Sequence, residues 1–200
     1  MVNYSLKILI ISFMMLPLAF AQGEQADKSV DTCVANFCLG NKELTFQSLK
    51  KEYGSGGSVS LDGDQKRLCY YDDQQKLWFL LEFNIHSHTR RTALETIFVS
   101  AEKICTKKIA PLSFLQDLKT NGDIRVGMPE TELLNLKGQP TRVDSSVERE
   151  KQSRVSYAGT LYAPRFGEKV LVFLSDDQSK FNFFYITDGK IKSIWVSDAE

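Results

Sequence analysis

Histidine, cysteine and proline are scarce in this 200-residue chain, with two, four and five of each. Two histidines leave little material for a multi-histidine metal centre or a histidine-based catalytic network. The chain also has no charge excess. Its 25 Lys+Arg are balanced by 25 Asp+Glu, which argues against a nucleic-acid binder, since that would carry a basic surplus. No Gly-x-Ser-x-Gly and no His-Glu-x-x-His occurs. Gly54-Ser55-Gly56-Gly57 resembles a phosphate loop only in composition, because it lacks the Lys-Ser/Thr ending. After the first 21 residues no long apolar run appears, so no membrane span is expected in the mature chain. What remains is ordinary globular material, 42% hydrophobic and 11% aromatic.

The N-terminus is the one long apolar stretch. Lys7 is followed by Ile8 to Leu16, then Pro17-Leu18-Ala19-Phe20-Ala21. A basic start, an apolar middle and an Ala-x-Ala end read as a secretory signal peptide cleaved before Gln22. The expected destination is the periplasm or the cell exterior. Cys33, Cys38, Cys69 and Cys105 suit that oxidising setting as disulfides. Four cysteines allow three connectivities, and the short local loop favours Cys33–Cys38 with Cys69–Cys105.

Self-similarity organises the rest. Leu39-Gly40-Asn41-Lys42-Glu43 recurs as Val126-Gly127-Met128-Pro129-Glu130, and each opens a helix that closes on glycine, at Gly54 and Gly138. Tyr71-Asp72-Asp73-Gln74 is matched by Ser175-Asp176-Asp177-Gln178, and Thr96-Ile97-Phe98-Val99-Ser100 by Ser193-Ile194-Trp195-Val196-Ser197. Asn41 is placed as the cap of the first helix, with Phe46, Leu49 and Tyr53 on its apolar face. Pro129 suits the first turn of the second helix, with Leu133 and Leu136 as its apolar face. Leu112, Leu115 and Leu118 suggest a preceding helix. The Asp-Asp pairs read as hairpin turns and Asp188-Gly189 as a tight hairpin. Thr141–Arg154 reads as a solvated loop. The expected fold is α+β, with two tandem modules at 22–108 and 109–200 after the 1–21 leader, each a helix-turn-helix packed on a four-stranded antiparallel sheet.

The segment Asp123 to Glu130, with Leu133-Leu134 and Gly138-Gln139-Pro140, resembles the opening of small bacterial outer-membrane-assembly lipoproteins of the SmpA/OmlA type. The tandem arrangement resembles that of the β-lactamase inhibitor protein family. The resemblance implies helix-on-sheet modules that bind other proteins, in the inhibitors through a concave sheet surface. The chain departs from the lipoprotein pattern in having no lipidation cysteine near its leader.

Strand alternation turns Ile97, Val99, Ile194 and Val196 toward the helices, and Thr96, Phe98, Ser100, Ser193, Trp195 and Ser197 away. Phe98 and Trp195 thus become equivalent aromatics among small hydroxyls, a pattern suited to a partner hot spot. Trp78, Tyr70, Phe184 and Tyr185 are further candidates. His86, His88, Arg90 and Arg91 lie in an insertion of the first repeat that reads as a solvated basic turn, with partner contact as the other reading and the two arginines suited to acidic groups. No metal, cofactor or catalytic residue is expected. The reading is a non-enzymatic exported protein-binding module, an inhibitor or envelope-assembly accessory binding through an open sheet face. The alternative is a small-molecule binder or enzyme with a pocket between the modules.

Overall fold

The computed structural model describes residues 30–54, 59–60, 65–85, 92–104, 117–145 and 169–198. Strands β1 (Cys33–Val34) and β2 (Phe37–Cys38) form a small hairpin closed by the Cys33–Cys38 disulfide. Helix α1 (Phe46–Tyr53) precedes β3 (Val59–Ser60), β4 (Gln65–Asp72), β5 (Leu77–Ile85) and β6 (Thr92–Ser100). Helix α2 (Glu130–Lys137) precedes β7 (Arg142–Ser145), β8 (Lys169–Leu174), β9 (Lys180–Thr187) and β10 (Lys190–Asp198).

The two expected modules with separate sheets do not form. The strands make one eight-stranded antiparallel sheet, ordered β3-β4-β5-β6-β10-β9-β8-β7. The chain is therefore mostly β, with one helix in each half among the described residues and no helix-turn-helix. The physical reason lies at the seam. As the last strand of each half, β6 or β10 alone would leave a row of unpaired backbone groups. Instead they pair along Ser193↔Ser100, Trp195↔Phe98 and Ser197↔Thr96. The flanking hydroxyls bond across this seam, Ser100 Oγ to Ser193 Oγ at 2.8 Å and Thr96 Oγ1 to Ser197 Oγ at 2.9 Å.

The local elements follow from residue chemistry. In α1 the cap is Thr45, not Asn41. Its hydroxyl accepts from the Ser48 N–H, and the Ser48 hydroxyl accepts from the Thr45 N–H, a reciprocal capping box. Asn41 instead accepts from Glu43 N in the preceding turn. Phe46 and Leu49 are buried, with Tyr53 packed beside them. In α2, Pro129 stands just before the helix and Gly138 ends it at φ 74°. Leu133 and Lys137 are buried and Leu134 is half-buried, whereas Leu136 is exposed. The i, i+1, i+4 stripe sets the inner face, and Leu136 falls outside it. Leu118 is buried but not helical; Leu112 and Leu115 lie outside the described residues.

The turns obey their sequence signals. Asp72 Oδ1 accepts from the N–H groups of Gln74 and Gln75. Asp177 Oδ1 accepts from Ser179 N, and its serine donors hold its carboxyl down at about 2. Asp188 and Gly189 both take positive φ, 51° and 67°, the pair of angles that a two-residue hairpin needs. The stretch expected to be all loop after α2 contains β7, which pairs with β8.

One apolar core spans both halves on the helix side. Phe79, Leu81 and Phe83 of β5 and Ile97 and Val99 of β6 meet Phe184, Ile186, Ile194 and Val196 of β9 and β10. The N-terminal hairpin bridges the halves: Phe37 packs against Tyr53 and Phe79 of the first, and the hairpin's polar contacts reach the second. Ala35 N donates to Lys119 O, and the N–H groups of Thr32 and Cys33 share Asn121 Oδ1. Asp31 exchanges two bonds with the Asn182 amide of β9. Its carboxylate also meets Lys137 Nζ of α2 at 2.6 Å, with both side chains under 5% exposed. Residues 31–39 thus clasp the opposite half of the sheet.

Candidate binding face

The sheet face away from the helices is built by strand register. Across the middle, paired positions run Arg142, Val172, Phe183, Trp195, Phe98, Leu80 and Cys69, from β7 to β4. The row on one side carries Tyr185, Ser193, Ser100, Trp78 and Tyr71. The row on the other carries Phe181, Ser197, Thr96, Glu82 and Arg67.

The aromatics touch in series. Phe181 and Phe183 have ring centroids 5.1 Å apart, Phe183 and Trp195 5.6 Å, and Trp195 and Phe98 6.0 Å. Phe98 meets Tyr185 edge-on, and Trp78 meets Tyr71 at 4.9 Å. Such tilted and edge-to-face pairs are the favoured geometry. Phe98, Val170, Val172 and Tyr185 form a second small core, with Leu80, Leu174, Phe183 and Trp195 packed half-buried around it. The indole N–H of Trp195 is shielded from water and meets no acceptor among the described residues.

The face is also electrically organised at its β4–β5 side. Arg67 Nε and Nη2 both donate to Glu82 Oε1, at 3.1 and 2.8 Å, in a buried ion pair. Taking both charges out of water is costly, and their mutual hydrogen bonds offset that cost.

The predicted residues distribute unevenly. Phe98, Trp195, Trp78 and Tyr185 share this face. Phe98 and Tyr185 are buried in it rather than open, at 5% and 1% exposure. Tyr70 is a correction: alternation along β4 turns it to the helix side, where it is buried with its hydroxyl 3.4 Å from Gly54 O. Phe184 likewise belongs to the helix-side core. The seam hydroxyls, read as framing a partner site, bond one another instead. His86, His88, Arg90 and Arg91 lie outside the described residues, as do the expected leader, its expected cleavage site and the 108/109 boundary. Phe181, Phe183 and Tyr71 were not singled out, although period-two alternation through Phe181, Phe183 and Tyr185 places all three on one face.

Cys33 bonds Cys38, and Cys69 is also disulfide-bonded; Cys105 lies outside the described residues. These bonds fit an oxidising, extracytoplasmic compartment. Among the described residues no helix is long and apolar enough to cross a membrane, and no metal-ligating cluster of His, Cys, Asp or Glu occurs. Comparison with protein-family models, with curated proteins and with solved structures finds no match.

Proposed function

We propose that this chain is an exported, non-enzymatic protein-binding module that engages its partner through the aromatic face, centred on Trp195 and Phe183. The observation that carries this reading is the aromatic row around Trp195. Trp195 stands half-buried in the middle row of the sheet, its ring centroid 5.6 Å from that of Phe183 and 6.0 Å from that of Phe98. Phe183 is half-buried too, so both rings supply apolar contact area to a partner. Tryptophan and tyrosine at the centre of a partly desolvated patch are the residues that carry most binding energy in protein interfaces. The leader before Gln22 and the disulfides agree with delivery to the periplasm or the exterior. The resemblance of Val126–Glu130 to envelope-assembly proteins agrees with a protein partner.

The test is comparative capture. The disulfide-bonded protein is immobilised and exposed to envelope extract beside two variants, Trp195→Phe and Trp195→Ala/Phe183→Ala. Thermal melts verify that each variant is folded. A protein held by the wild type, held less well by Trp195→Phe and lost by the double variant supports the reading. Equal retention by all three sinks this face as the binding site.

A further inference from the structure

The disulfide-bonded cysteines stand in two different settings. Cys33 and Cys38 face each other directly across the β1–β2 hairpin, and both are partly exposed. Cys69, on β4, is also disulfide-bonded but only 1% exposed. The Thr32 hydroxyl lies 3.7 Å from Cys33 Sγ. A disulfide sulfur carries no proton, so the hydroxyl is the donor. The backbone around Cys33 is what grips the second half of the chain. The Cys33 carbonyl accepts from Asn121 N–H at 3.2 Å, its N–H shares Asn121 Oδ1 with that of Thr32, and Ala35 N–H donates to Lys119 O at 2.8 Å. The hairpin itself has two residue pairs, and the cystine is one of them.

We propose that Cys33–Cys38 is a thiol-exchange site, opened by a dithiol reductant ahead of the bond at Cys69, and that its opening loosens the grip of residues 31–39 on residues 119–121. Exchange requires a thiolate to reach one of the two sulfurs, so accessible disulfides are the labile ones and shielded ones resist. The direction follows from Thr32. The departing sulfur carries the negative charge, and a donated hydrogen bond stabilises it there. The incoming thiolate therefore attacks Cys38 Sγ. The S–S bond breaks, its electron pair leaves on Cys33 Sγ, and that thiolate takes a proton. The reductant's second thiolate then attacks its own sulfur in the mixed disulfide. That step closes the reductant's disulfide and releases Cys38, which also takes a proton. In all, two electrons and two protons pass from the dithiol to the pair. An oxidising compartment keeps the closed form as the resting state. After opening, the hairpin retains the Val34↔Phe37 pair alone, and its chain regains freedom that the crosslink had removed. The eight-stranded sheet has no bond through these two sulfurs, so the response is local. This site is separate from the aromatic face, and neither reading depends on the other.

Graded dithiothreitol on the purified disulfide-bonded protein, followed by alkylation and peptide mass spectrometry, reads the order of opening. Cys33 and Cys38 are expected to label at concentrations that leave Cys69 unlabelled. With glutathione, a single thiol, the trapped adduct is expected on Cys38 and should form more slowly in Thr32→Val. Hydrogen exchange reads the consequence. In the selectively reduced protein the amides of Cys33, Ala35 and Asn121 are expected to exchange about tenfold faster or more, while those of β5 and β6 keep their rates. Cys33→Ser/Cys38→Ser is expected to show the same acceleration; should it fail to fold, the reduced wild type decides the matter alone. Labelling of Cys69 together with or before the pair overturns the exchange site. Unchanged exchange of the three amides after reduction overturns the loosening, and an adduct on Cys33 overturns the direction of attack.

Discussion

Replacing Asp31 by asparagine should cost about 3–5 kcal/mol of stability, the loss typical when one member of a buried ion pair is removed. The structure allows that substitution to isolate the charge. Asp31 is held through its main chain by Asn182, whose Oδ1 accepts from Asp31 N and whose Nδ2 donates to Asp31 O. Neither bond involves the carboxylate, so asparagine keeps both. What disappears is the carboxylate 2.6 Å from Lys137 Nζ, where the two side chains are 2% and 4% exposed. The ammonium then loses this carboxylate in a poorly solvated site. Urea unfolding followed by tryptophan fluorescence measures the loss. With a slope of about 2 kcal/mol per molar urea for a domain of this size, the midpoint should fall by roughly 2 M. Asp31→Leu combined with Lys137→Met removes both charges and should recover much of the loss, because a buried pair contributes little beyond what apolar packing can replace. A cost below about 1 kcal/mol for Asp31→Asn, or a double variant as unstable as the sum of its singles, would refute the premise that this pair sits in a low-dielectric site.

Two further perturbations test other parts of the fold. Gly122→Ala places a Cβ 2.6 Å from Asp31 Oδ1, so it should lower the urea midpoint in the wild type and much less in an Asp31→Ala background. Tyr70 should make the fold sensitive to alkali. Burial pushes its phenol up to about 12, so the folded state favours the neutral form. Stability from this group is complete below pH 10, where both states hold the proton. It falls between pH 10 and 12 as the unfolded chain alone ionises, by about 1.4 kcal/mol per pH unit and roughly 2–3 kcal/mol in all. Melting temperatures followed through that window should decline less steeply in Tyr70→Phe, and equal slopes would contradict the assignment.

Most of the local structure is legible in the residues. Leu77, Phe79, Leu81 and Phe83 alternate with Trp78, Leu80, Glu82 and Asn84, and all four enter the core. Asp188-Gly189 forms the tight hairpin that its left-handed preferences require. Gly54 and Gly138 end their helices at positive φ. The misplacements are also local in cause. Asn41 and Thr45 are both able caps, and only Thr45 has a serine three residues on to complete the reciprocal bonds. In α2, Leu133 and Leu136 are one helical turn apart, but inclusion of Leu134 and Lys137 rotates the buried stripe and leaves Leu136 outside. Lys137 is the harder case, because a lysine in a helix's last turn reads as a solvated end. Its burial follows from Asp31, more than a hundred residues earlier in the chain.

The architecture was not legible for a related reason, and the candidate face inherits the consequence. Period-two alternation tells which side of a strand each residue faces, but not what lies along its edge. Thr96 and Ser100, beside Phe98, are equally suited to frame an exposed hot spot or to bond hydroxyls from a neighbouring strand. The second outcome obtains because Ser193 and Ser197 flank Trp195 at the same spacing, so that two hydroxyl pairs close when β6 and β10 meet with Phe98 opposite Trp195. The same small hydroxyls that made each strand look like half of a binding site are what join the halves into one sheet. That junction brings Phe98 and Trp195 within 6.0 Å of each other and links them to Phe183. Two separated aromatic positions thereby become one row across the seam. On the proposed reading a partner that engages Trp195 does so beside the seam, and its affinity should fall whenever the seam is disturbed, even by changes that leave every aromatic in place.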